Sequence, residues 1–126
     1  MEKATIVKLQ DLLLVTLQSD MNDQAAMSMQ HKVLEAVAQP GLRGVIIEVS
    51  QLDLIDSYMA RLLSDTARMI RLMGAVTVLV GLQPTVAITM VEMGLVIEET
   101  RTARNLEDAL ARFNGNVGNI RRGNGQ

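Results

Sequence analysis

Two stretches, Arg43 to Val49 and Ala75 to Leu82, are nearly continuous runs of aliphatic, largely β-branched residues. Strands read this way when both of their faces are covered, and two of them joined by a helix-length segment imply a parallel sheet with helices against it. The segment between them supplies that helix. From about Ser57 to Met73 a polar stripe of Arg61, Ser64, Asp65, Arg68 and Arg71 opposes Met59, Leu62, Leu63, Ile70 and Met73. Arg61 and Asp65 stand at ion-pair spacing, as do Asp65 and Arg68. Gly74 occupies the position after the helix where a left-handed residue is usual.

The same reading extends in both directions. Ala4 to Leu9 and Leu12 to Leu17 are β-rich runs separated only by Gln10-Asp11, which is the spacing of a two-residue hairpin. Met21 to Gln39 turns helical, with Ala26, Met29 or Gln30, Val33 and Val37 in register, Ser19 or Asp20 as its cap and Pro40-Gly41 as its stop. Downstream, Pro84 suits the first position of a short helix that Gly94 closes after Met93. A short strand at about Val96 to Glu98 and a helix from Leu106 to Phe113 complete the set, with Asn105 as N-cap and Asp108 as the acid three residues on. The order is ββαβαβαβα: an α/β domain whose mixed sheet is opened by an antiparallel hairpin and has Arg43 to Val49 at its centre. Residues 1–113 are expected to form this one domain. Residues 114–126, rich in Gly and Asn, carry too little apolar surface to join a core and are expected to be a disordered tail.

Composition removes several kinds of chemistry. Among 126 residues there is no Cys and one His, so thiolate zinc sites, redox motifs, disulfides and multi-His metal centres are excluded. His31, inside the first helix, has no Ser or Asp placed by local sequence to make it catalytic. Aromatic residues are 2% of the chain and the net charge is −2, which argues against stacking platforms and against nucleic acid as a partner. The apolar runs fall short of the ~20 residues that a bilayer span needs, and the first residues do not read as a leader, so no membrane association and a cytoplasmic location are expected. The nine Met, including Met27, Met59, Met69, Met73, Met90 and Met93, read mainly as core filling on helix faces. Assembly contacts, where present, should be aliphatic and Met-based.

The loop from Ser50 to Asp56, between a central strand and a helix, is where α/β domains place their chemistry. Asp53 and Asp56 lie in it and invite comparison with a Mg²⁺-dependent phospho-acceptor. That use also needs a Lys from a later loop, and the lysines are Lys3, Lys8 and Lys32 only. The two acids are therefore read as a solvated loop carboxylate and a cap, with Asp56 or Ser57 at the N-cap. A hydroxyl at such a helix start also faces unpaired N–H groups that favour a phosphate. Gly81-Leu82-Gln83-Pro84 lacks the glycines and Lys of a phosphate loop and reads as a strand-to-helix connection.

The segments Asp53-Leu-Ile-Asp-Ser-Tyr-Met-Ala-Arg61 and Met73 to Gly94 resemble the STAS domain family, over about Val7 to Leu110. More narrowly they are similar to the RsbS-type scaffold subunits of the bacterial stressosome. Diffusible anti-anti-sigma factors read Asp-Ser-Ser/Thr-Gly-Leu where this chain has Asp56-Ser57-Tyr58-Met59-Ala60. The resemblance implies a non-enzymatic switch without cofactor or metal. Ser57 would be phosphorylated by an RsbT-type serine kinase, held through the neighbourhood of Asp53, Asp56, Tyr58 and Arg61, and reset by an RsbX-type phosphatase. It further implies a large hetero-oligomer with an RsbR-type STAS paralogue, with a homo-oligomer also open. The start of the first helix, Asp20-Met21-Asn22, offers no second site. The alternative within the family is a diffusible anti-anti-sigma factor that binds an anti-sigma kinase. A small-molecule-binding or catalytic domain using His31 or Asp53 would rest on the fold alone.

Overall fold

The opening hairpin forms in the register that its spacing predicts. Strand β1 (Ala4–Leu9) pairs antiparallel with β2 (Leu12–Leu17), with Leu9 opposite Leu12. Gln10 takes φ 57°, a left-handed conformation that matches a two-residue loop to the twist of its strands even without glycine. The computed structural model describes residues 4–95 and 100–114.

The sheet continues with β3 (Gly44–Glu48), β4 (Val76–Val80) and β5 (Thr100–Ala103), in the order β1-β2-β3-β4-β5. All pairings after the hairpin are parallel, and β3 is central as expected. The strand expected at about 96–98 lies outside the described residues. The fifth strand of the expected order is β5, described at Thr100–Ala103 and so later than the sequence places it: Arg101 and Thr102 are exposed, and this edge strand carries no apolar run to mark its position.

Alternation along the strands sends neighbouring residues to opposite faces, and both faces are covered. On one side Leu13, Val15, Leu17, Val45, Ile47 and Leu79 meet α1 (Asp23–Val37), α2 (Ser57–Leu72) and α3 (Pro84–Glu92) through residues such as Val33, Leu63, Ile70, Val86 and Met90. Burying each such side chain contributes about 1.5–3 kcal/mol. On the other side Leu12, Ile46, Val78, Val80 and Ala103 meet Ala109 and Phe113 of α4 (residues 106–114). Asn114, assigned to the tail from sequence, is the last helical residue described. At Gly44 an added Cβ would come within 2.5 Å of the Phe113 ring, so glycine is what lets α4 lie so close to β3. Among the described residues no helix is long and apolar enough to cross a membrane.

Three helix details depart from the sequence reading. The cap of α1 is Asn22, whose Oδ1 accepts the Ala25 N–H at 2.8 Å; Ser19 and Asp20 instead lie in the turn that precedes it. In α2, Ser64 is buried and Met73, just past its end, is 44% exposed. The helix rests against both α1 and β4, so its covered arc takes in Ala60, Ser64 and Thr66 as well as the Leu and Met positions. The Met residues accordingly divide: Met29, Met59 and Met90 are buried, whereas Met27, Met69 and Met73 are exposed. Asp65 pairs with Arg68 at 3.8 Å, while Arg61 makes no ion pair among the described residues.

The start of α4 forms as read. Asn105 Oδ1 accepts the Asp108 N–H at 2.8 Å, and Asp108 Oδ2 reaches back to accept the Arg104 N–H at 3.2 Å. That backbone hydrogen bond, with Arg112 beside it, holds the Asp108 carboxyl below its ordinary range.

Candidate functional site

The carboxyl end of β3 runs into a loop whose course is set by backbone and side-chain bonds rather than by apolar packing alone. The Val49 N–H donates to the Val80 carbonyl at 2.8 Å, extending the sheet by one residue, and the Leu52 N–H turns back to the Val49 carbonyl at 2.9 Å. Glu48 Oε1 accepts the Ser50 N–H at 2.8 Å. Leu52 is buried and anchors the loop, and Ile55 packs partly against the same core.

Two side chains from the start of α3 hold this loop from the far side. Gln83 Nε2 donates to the Ser50 carbonyl at 2.7 Å, and Thr85 Oγ1 donates to the Asp53 carbonyl at 2.7 Å. Gln83 is the N-cap residue of α3 but makes no side-chain cap bond, because its amide serves the loop instead. Gly81, at φ 76°, lets β4 pass close by: an added Cβ would meet Ser50 Cβ at 2.7 Å. Sequence reasoning treated Gly81 to Pro84 as a plain connection and missed Gln83 and Thr85. Two hydrogen-bonding residues flanking a Pro at N1 were the available signal, but the partners lie about thirty residues away.

The loop delivers the chain to α2 with Asp56 extended, at φ −88° and ψ 172°, and its Oδ1 accepts the Met59 N–H at 2.8 Å. Asp56 is therefore the cap, and Ser57 is the first helical residue. Ser57 is exposed, and its hydroxyl makes no hydrogen bond among the described residues. Met59 and Ala60 are buried and fix the first turn onto the core. Asp53, Asp56, Tyr58 and Arg61 are all exposed along the same loop and helix start. The arrangement is one accessible hydroxyl at a helix N-terminus, with two carboxylates and a guanidinium that makes no ion pair among the described residues. His31 is exposed on α1. Among the described residues no group of three or more His, Cys, Asp and Glu is placed to hold a metal ion.

Similarity to known proteins follows the same elements. No curated protein matches the sequence. Among solved structures, a serine-to-glutamate variant of RsbS from Moorella thermoacetica is 29% identical, with 92% of this chain and 98% of that chain covered and a TM-score of 0.82. A chain from a structure of the molecular architecture of the stressosome, a signal integration and transduction hub, is 31% identical over 90% of this chain and 98% of that one, with a TM-score of 0.79. The anti-sigma factor antagonist SpoIIAA in its unphosphorylated form shares the fold at 20% identity, with 89% and 96% covered and a TM-score of 0.72. Residues 3–109 match the STAS domain, and with this sheet order, this loop and this helix start the chain belongs to the STAS domain family.

Proposed function

We propose that this chain is a non-enzymatic, phospho-regulated scaffold of the bacterial stressosome, which holds an RsbT-type serine kinase until Ser57 is phosphorylated. The observation that carries the reading is the division of labour at the start of α2. Asp56 caps the helix, and the Ser57 hydroxyl is exposed and makes no hydrogen bond among the described residues. Likeness to RsbS and to a stressosome chain supports the choice of system.

The physics of the switch follows from the same residues. A phosphate adds about −1.5 to −2 charge. At Ser57 it gains from the helix N-terminus and from Arg61, one turn on and without an ion pair among the described residues. It also adjoins Asp53 and Asp56, both exposed. Inside a kinase interface the added charge must be desolvated among carboxylates, which is unfavourable, and the kinase is released. An RsbX-type phosphatase restores the holding state, and the RsbR-type paralogue supplies the rest of the assembly.

The test is to mix the chain with its larger STAS paralogue and cognate kinase, then follow assembly by gel filtration and phosphate by mass spectrometry. A large complex is expected, with phosphate on Ser57; Ser57→Ala should retain the kinase and Ser57→Glu should not. Phosphorylation that survives in Ser57→Ala would overturn the reading. A chain that stays small and binds an anti-sigma kinase one to one would replace it with the diffusible antagonist.

A further inference from the structure

The sheet face covered by α4 carries a second concave site, at the opposite end of the strands from Ser57. A cavity of about 220 Å³ lies between β4, β5 and α4, lined by Arg43, Val76, Val78, Arg101, Arg112 and Phe113. Its floor and wall are apolar: the two valines of β4 and the Phe113 ring. Three guanidiniums surround that apolar surface.

The charges are unequally committed. Arg43 pairs with Asp11 at 2.5 Å, lies 5.3 Å from the Phe113 ring centroid and reaches the Phe113 carbonyl at 3.4 Å. Arg112 pairs with Asp108 at 3.5 Å. Arg101 stands beside Val78 in the β4–β5 register, which puts it on the α4 side of the sheet. It is exposed and makes no ion pair among the described residues. Among the described residues two of the three positive charges are thus paired, and Arg101 stands beside the apolar floor without an acid partner. A guanidinium forms paired hydrogen bonds with a carboxylate, and its remaining donors are not used up by one acid.

We propose that this cavity is a binding site for a small organic monoanion: a carboxylate attached to a compact apolar body. The carboxylate pairs with Arg101 and takes further hydrogen bonds from Arg112, while the body covers Val76, Val78 and Phe113. Arg101, the one of the three without an acid partner among the described residues, favours a carboxylate, and the apolar floor selects against a bare, fully hydrated anion. The cavity is smaller than the usual range for drug-sized ligands, which favours a single ring or a branched chain. Lying on the opposite sheet face from α2, the site is filled independently of what docks at Ser57, and the proposal does not depend on the kinase reading.

The test titrates the full chain with benzoate as probe, following amide shifts by NMR and heat by calorimetry. Saturable binding is expected, with the largest shifts at Gly44, Val76, Val78 and Phe113. Benzyl alcohol, with the ring but no charge, and chloride, with charge but no body, should each bind at least about tenfold more weakly. Arg101→Gln should weaken benzoate by about tenfold with an unchanged circular dichroism spectrum and thermal midpoint, since that exposed side chain makes no hydrogen bond or ion pair among the described residues; Arg112→Gln is the second variant. No saturable benzoate binding would overturn the proposal, as would equal binding of benzyl alcohol or unchanged affinity in both variants. Loss of assembly with the paralogue in Arg101→Gln, without any benzoate binding, would instead assign the face to a protein contact and equally overturn it.

Discussion

Asp56 and Ser57 divide two tasks that a helix start usually gives to one residue. The carboxylate caps α2 through the Met59 N–H at 2.8 Å, and the exposed hydroxyl next to it makes no hydrogen bond among the described residues. Asp56→Ala is expected to lower stability by about 1 kcal/mol in urea denaturation, whereas Asp56→Asn, which keeps a capping oxygen, should lose at most a few tenths. Equal losses in the two variants would mean that the charge, and not the cap, holds the turn. Gly81 acts on the same site from β4. With φ 76° and Ser50 Cβ 2.7 Å from where its own Cβ would be, Gly81→Ala combines backbone strain with a collision. A loss of roughly 1–3 kcal/mol is expected, together with amide shifts concentrated in residues 50–57; an unshifted loop would show that the strand can yield without moving it.

At the scale of elements, the helix pairs are joined by polar contacts that the apolar pattern does not reveal. Between α1 and α2, Gln30 Nε2 donates to Thr66 Oγ1 at 2.9 Å, and the Thr66 hydroxyl donates to the Leu62 carbonyl at 2.6 Å, all in the interior. Thr66→Val leaves the Gln30 amide buried without its partner and should cost about 1–3 kcal/mol. Adding Gln30→Leu should recover much of that loss, and strict additivity in the double variant would count against the bond as the link between the helices. The start of α4 offers a pH test. Because the Arg104 N–H and Arg112 hold the Asp108 carboxyl below its ordinary range, its contribution is complete above the ordinary Asp pKa and is lost as pH falls through the lowered value. Thermal midpoints of the parent and Asp108→Asn should therefore differ at neutral pH and converge in acid. A difference that persisted in acid would assign the effect to packing.

For the whole molecule, the five-stranded sheet with three helices on one face and α4 on the other leaves an uneven surface. The large exposed apolar residues include Leu54, Leu72, Ile88 and Val91, with Met27, Met69 and Met73 less exposed and Tyr58 the one aromatic among them. Under the scaffold reading, these supply aliphatic assembly contacts. Paired changes Ile88→Ser and Val91→Ser on α3, both well exposed, should lower assembly with the paralogue while leaving the monomer's thermal midpoint nearly unchanged. Full assembly of that variant would remove α3 from the interface. The element order, the hairpin register, the central β3 and the position of Ser57 at a helix start are all legible in the sequence, because each depends on side-chain period and turn residues within a few positions. What only the tertiary structure decided depends on distant neighbours. Ser64 is buried because α2 meets both α1 and β4, β5 is a strand because β4 offers it a partner, and Gln83 and Thr85 grip a loop that precedes them by about thirty residues. Arg43, Arg101 and Arg112 gather around one cavity for the same reason: local pattern specifies the elements, and only their packing specifies which side chains converge.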